Sequence, residues 1–205
     1  MPCGADSHTY RRYSEALYDA LREDPFYATL ERRAPDPETS RDTMLAYYDH
    51  SILEAETYGR LVLPQDGTFG ASVWSVPLDS ARARQKSLCK HEAIGREMGE
   101  ACLQAYETMC DFMADATGPL VSERDWYLSI VGLRPKFQGQ GRGADLIRPV
   151  LEDADRASVA TYLETFTPAN MSFYARLGYE ASGCFREPLT DRDYWVMRRQ
   201  PRADG

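Results

Sequence analysis

The sequence predicts an α/β (α+β) fold, on three observations. Residues 126–133, Trp-Tyr-Leu-Ser-Ile-Val-Gly-Leu, are rich in aromatic and β-branched types and read as a buried strand. That strand leads through Gln138-Gly139-Gln140-Gly141-Arg142-Gly143 into a helix whose apolar series, Ile147, Val150, Leu151 and Ala154, has the spacing of one face. Upstream, β-type runs at residues 60–64 and 68–76 flank Gln65-Asp66-Gly67, an antiparallel hairpin signal.

The remaining elements follow in chain order. Tyr10, Tyr13, Leu17 and Leu21 mark a first helix ended by Asp24-Pro25. A polar, proline-bearing link at residues 34–40 precedes a second helix, capped by Thr39 or Ser40, with Leu45, Tyr48 and Ile52 on its apolar side. No strong strand appears before residue 60, so residues 1–59 read as a helical N-terminal part. Asp79 or Ser80 opens a long helical region that Gly95 and Gly99 weaken or divide. Its later half carries Met98, Cys102, Ala105, Met109 and Met113 on one face, a stripe best explained by core packing. Past the central unit come a strand at residues 160–166, a turn at 167–170 and a short helix stopped by Gly178. Two further runs, 179–186 and 194–199, can pair antiparallel.

The 205 residues suit a single domain, 1–205, with one sizeable core. No apolar run is long enough to span a membrane, and the first residues contain no segment of signal-peptide type, so a cytoplasmic location is expected. Five cysteines without C-x-x-C spacing read as reduced thiols, with no metal site. A net charge of −8 argues against nucleic-acid binding and mildly favours a cationic small substrate. A homodimer is compatible with the sequence, which does not fix the oligomeric state.

The glycine loop reverses the charge of the whole. Residues 129–144 carry Arg134, Lys136 and Arg142 and no carboxylate. Three glycines let backbone N–H groups approach an anion, and the following helix dipole adds partial positive charge. A phosphorylated ligand is expected there. Gly139-x-Gly141-x-x-Ala144, with Glu164 twenty residues beyond, also fits a dinucleotide fingerprint, which would make the protein an NAD(P)-dependent oxidoreductase.

Gln138-x-x-Gly141-x-Gly143 behind a strand and Arg134-Pro135 resembles the acetyl-coenzyme A signature of the GNAT acetyltransferase superfamily. Leu163-Glu164-Thr165, Asn170 and Tyr174-Ala-Arg-Leu-Gly178-Tyr179 are similar to its second conserved segment. The strand of residues 71–77, with its tryptophan, and the long helical insert are most like the puromycin N-acetyltransferase branch. The resemblance implies a mixed, splayed central sheet flanked by helices, with acetyl-CoA as co-substrate and a small-molecule amine as acceptor. The pantetheine arm would pair with backbone around Val131, Gly132 and Leu133, where Gly132 itself suggests a bulge or a close backbone approach. Gln138, Gly139, Gln140, Gly141, Arg142, Gly143 and Ala144 would hold the diphosphate.

The resemblance also implies roles. Tyr174 would protonate the departing thiolate, since a phenol keeps its proton at neutral pH; the alternative is a tyrosine packed in the core. Glu164 would be the general base, and a buried pair with an arginine is the alternative. Asn170 would bind pantetheine or cap the helix at Met171. Trp74, Trp126 and Tyr127 could wall an acceptor pocket, though packing explains them as well. Pro149 inside the helix after the loop should remove a hydrogen bond and bend the axis. A non-catalytic acyl-CoA sensor on the same fold is the remaining alternative.

Overall fold

The computed structural model describes residues 9–202. Its elements run α1 (Arg11–Leu21), α2 (Pro25–Glu31), α3 (Ser40–Tyr58), β1 (Gly59–Val62), β2 (Gly70–Ser75), α4 (Ser80–Met98), α5 (Glu100–Thr117), β3 (Trp126–Leu133), α6 (Arg142–Asp145), α7 (Arg148–Arg156), β4 (Thr161–Thr165), α8 (Met171–Arg176), β5 (Glu180–Glu187) and β6 (Arg192–Arg199). Six strands form one sheet in the order β1-β2-β3-β4-β6-β5. Only β3 and β4 are parallel neighbours; the other four pairings are antiparallel. A doubly wound dinucleotide fold needs a mostly parallel sheet, so the oxidoreductase expectation is overturned.

Several local expectations are met and several corrected. The Asp-Gly hairpin forms, with Val62 opposite Ser72. Asp79 caps α4 by accepting from the amides of Ala81 and Arg82. The long helical region breaks at Gly99, whose φ is +82°, while Gly95 lies inside α4 without interrupting it. α2 has no counterpart in the sequence reading. Pro25 ends one helix but also stands in the first turn of the next, where its missing N–H costs nothing, and Asp24 caps it through the Phe26 amide at 3.0 Å. Pro149 likewise divides rather than bends: α6 is a single turn, and α7 restarts with Pro149 in its first turn. Cys102, Cys110 and Cys184 are free thiols, but Cys89 is disulfide-bonded, which corrects the reading of five reduced cysteines. Cys3 and His8 lie outside the described residues.

The two larger cores lie on opposite faces of the sheet, and a smaller cluster gathers Met113, Phe166, Tyr194 and Val196. One gathers Leu17, Leu30, Tyr48, Ile52, Ile94 and the stripe Met98, Cys102, Ala105 and Met109 against Ala71, Val73 and Ile130. The other packs Ile147, Val150, Leu151, Tyr174 and Leu177 against Trp74, Leu128, Leu163 and Met197. The methionine stripe is thus core, as its spacing predicts.

β3 sits in both cores because its pleat is interrupted. Val73 faces Ile130 and Trp74 faces Leu128, leaving Ser129 as an extra residue, a β-bulge whose hydroxyl donates to the Val73 carbonyl at 3.0 Å. Beyond it, Gly132 lies directly under α1. A Cβ there would come 3.0 Å from Ala20 Cβ and 3.1 Å from Leu17 Cδ2. The close approach anticipated at Gly132 is present, and the bulge lies three residues earlier.

Candidate active site

The bulge also ends the central parallel pairing. β3 and β4 pair at Trp126–Thr161, Tyr127–Tyr162 and Leu128–Leu163 and no further. β3 then continues to Leu133, paired on its β2 side alone, so the two strands diverge into a wedge. Backbone along the open edge of β3, including Val131, Gly132 and Leu133, can pair with an extended chain of amides.

The glycine loop closes the end of this wedge. Gly139 and Gly141 adopt φ of +73° and +80°, and a Cβ on either would meet nothing within 4 Å. Gly143 is tighter, with Phe173 Cζ at 3.1 Å from a Cβ position. Gln138 donates from Nε2 to the Leu133 carbonyl at 2.9 Å, and Gln140 to that of Lys136 at 2.9 Å, so both amides brace the loop. Arg142 packs over the Phe69 ring at 4.8 Å and pairs with exposed Asp66 at 3.4 Å. Arg134 does not face the loop; it pairs with Glu15 at 3.4 Å and Asp19 at 3.5 Å, both on α1. Ala144 is buried in the second core.

Asn170 is exposed at the other lip, after β4. Its side chain makes no capping hydrogen bond and its backbone is already helical, so the capping alternative is corrected.

On the first face of the sheet a cavity of about 640 Å³ opens beside the wedge. Glu164 of β4 stands in its wall. Its Oε1 accepts from Thr117 Oγ1 at 2.5 Å and its Oε2 from the Tyr127 hydroxyl at 2.8 Å. No arginine pairs with it among the described residues, which removes the ion-pair alternative. Burial raises its pKa, and the two hydroxyl donors oppose that shift. A carboxylate with a raised pKa and lone pairs to spare is suited to take a proton.

Tyr174 approaches from the opposite face. It is 7% exposed, with its ring 5.2 Å from Phe173 and 6.1 Å from Tyr179. It is therefore a core tyrosine as well as a candidate acid. Burial raises the pKa of its phenol, with Tyr179 and Asp24 adding to the shift. Asp24 lines the cavity, so its charge reaches the Tyr174 hydroxyl from across the sheet. Among the described residues that hydroxyl makes no hydrogen bond. Glu164 and Tyr174 thus flank the wedge from its two sides.

Trp74 is buried, with Nε1 on Ser72 Oγ at 3.0 Å, as packing predicts, and Trp126 stacks with Arg60 away from the cavity lining. Tyr127 departs from the packing expectation, lining the cavity stacked on Tyr162 at 4.7 Å. Sequence reasoning missed Asp24, Glu54, Lys86 and Lys90, which also line it. Burial pushes the Asp24 carboxyl up to about 6. Lys90 carried a usable signal, since it falls on the same helical face as Ala93 and Ile94.

The acetyltransferase (GNAT) family profile matches residues 14–179, most of the chain. The chain belongs to that family. It is 24% identical over 180 residues to an uncharacterized N-acetyltransferase of Schizosaccharomyces pombe, covering 85% of this chain and 72% of that protein. Its fold is similar to a histone acetyltransferase HPA2-related acetyltransferase of Corynebacterium glutamicum (TM-score 0.61, 18% identity, 98% and 95% of the two chains). It is equally similar to arylalkylamine N-acetyltransferase 2 of Aedes aegypti (TM-score 0.60, 13% identity, 97% of each chain). These two likenesses are of fold. This GNAT chain is an N-acetyltransferase with a six-stranded open sheet flanked by helices.

Among the described residues no group of three or more His, Cys, Asp or Glu could hold a metal ion, and no helix is long and apolar enough to cross a membrane.

Proposed function

We propose that this enzyme moves the acetyl group of acetyl-CoA to a small-molecule primary amine by direct attack in a ternary complex. The observation that carries the reading is the wedge. β3 leaves β4 beyond Leu128–Leu163, with the glycine loop at its far end, the cavity and Glu164 on one side and Tyr174 on the other.

In this reading the pantetheine amides pair with backbone at Val131, Gly132 and Leu133. The diphosphate rests on the N–H groups of residues 139–144, in a loop braced by Gln138 and Gln140 and flanked by Arg142. Asn170 closes the opposite lip. The amine nitrogen attacks the thioester carbonyl carbon and the C–S bond breaks. The nitrogen's proton passes to Glu164, directly or through water, and the thiolate takes the proton of Tyr174. The aromatic-rich cavity supports a small acceptor, as does the sequence resemblance of residues 71–77 and the helical insert to the puromycin N-acetyltransferase branch.

The test is thiol release from acetyl-CoA across a panel of amines, antibiotics and peptides, together with melting temperatures in acetyl-CoA and in nicotinamide dinucleotides. Stabilisation by acetyl-CoA and thiol release with small amines are expected. Release with peptides alone would overturn the choice of acceptor, and stabilisation by dinucleotides alone would overturn the whole reading.

A further inference from the structure

Two lysines of α4 and Glu54 of α3 stand in the lining of the cavity that Asp24 and Glu164 also share. Lys90 is 7% exposed, with Nζ 2.7 Å from Ser51 Oγ and 4.5 Å from the centroid of the Tyr47 ring. Lys86, one turn earlier on the same face of α4, has Nζ 2.8 Å from Ser75 Oγ and 3.8 Å from Glu54 Oε1. Glu54 is also 3.8 Å from His50 Nε2, and its buried Oε2 has no hydrogen-bond partner among the described residues. The Lys86 separation is too long for a direct hydrogen bond, and the charge of Lys90 also acts on the same carboxylate. Each ammonium has three donors, and a serine hydroxyl takes one from each. Burial favours the neutral form of Lys90 and lowers its pKa, which the charge of Glu54 opposes, so an anion bound beside Lys90 would favour its ammonium further.

The Cys110 thiol, pushed up to about 12 chiefly by burial, is lowered by Lys90 and raised by Glu164, so both charges act on it. Tyr47, Tyr106 and Tyr127 line the space around it.

We propose that the amine accepted here carries a carboxylate at its far end, gripped by Lys90 and Lys86 while its nitrogen faces Glu164 across an aromatic middle. This deepens the acetyl-transfer reading and rests on it for the position of the nitrogen. A polycationic acceptor would meet repulsion at the same wall, although the net charge of −8 favours cations at long range.

The test uses calorimetry on the full chain saturated with CoA, so that binding is read without turnover. The probes are 4-(aminomethyl)benzoate, its neutral amide and benzylamine. Charge-assisted hydrogen bonds to two ammoniums should make the carboxylate probe bind at least about tenfold more tightly than either of the others. That ratio should fall toward one in Lys90→Met and in Lys86→Met; the second, at a partly exposed site, covers the case in which the first fails to fold. Equal affinities, no binding of the carboxylate probe, or a ratio unchanged in the folded variants would overturn the inference. Thiol release by the same probes reports separately on acetyl transfer: its absence with discrimination intact would sink the transfer reading alone.

Discussion

In the proposed mechanism Tyr174 and Glu164 divide the proton work of the reaction, and each role has its own signature. Phenylalanine at 174 keeps the ring contacts with Phe173 and Tyr179 but removes the acid. Turnover of Tyr174→Phe should fall about 100-fold, the low end of general acid–base effects, with CoA affinity changed less than about twofold by calorimetry. Glu164 must be ionised to act as a base, and burial raises its pKa, so the rate should fall as pH drops through a value above the ordinary carboxylate range. Glu164→Gln should lower the rate and abolish that acid limb in a pH–rate profile. Glu54 titrates the other way. Burial favours its neutral form, but Lys90, His50 and Lys86 outweigh it and hold the carboxyl at about 2 against an ordinary 4.5. Its ionised form therefore stabilises the fold above pH 4.5, and that contribution is lost as pH falls toward 2. Glu54→Gln should be less stable at pH 7 and show a flatter stability curve across that window in urea titrations.

At the scale of elements, β3 decides where chemistry can happen. Its bulge at Ser129 places Leu128 and Ile130 in different cores and ends the pairing with β4, opening the wedge. α1 crosses the far half of the strand at Gly132. Gly132→Ala would press a methyl group into Ala20, Leu17 and Leu21, an overpacking that should cost about 1–3 kcal/mol. A lower melting temperature with weaker CoA binding is the expected pair of results; an unchanged melting temperature would mean that α1 yields freely. The glycine loop and its flanking strand and helix were legible in sequence because turn glycines and apolar periodicity are local signals. The bulge was not, since an alternating run looks the same with or without one extra residue. α2 was lost for a related reason: Asp24-Pro25 stops a helix and starts one with the same two residues.

Across the whole molecule, Arg199 ties the last strand to the second core. It is 3% exposed, holds Asp155 through two contacts of 2.7 Å and donates from Nε to the Leu177 carbonyl, joining β6, α7 and the end of α8. Arg199→Met would remove both contacts to Asp155 and the bond to Leu177, while Asp155 keeps the Arg202 amide, and should lower the urea midpoint. The succession of strands and of the longer helices, the glycine loop, the family, and Glu164 and Tyr174 as candidates were all determined by the sequence, because each rests on neighbouring residues and their spacing. Only the tertiary structure decided that Asp24, Glu54, Lys86, Lys90 and Tyr127 face one cavity, that Arg134 is spent on α1, and that Asn170 caps nothing. Those outcomes depend on how α1 to α5 dock on a bulged sheet, and docking brings together residues more than a hundred positions apart that no local pattern links.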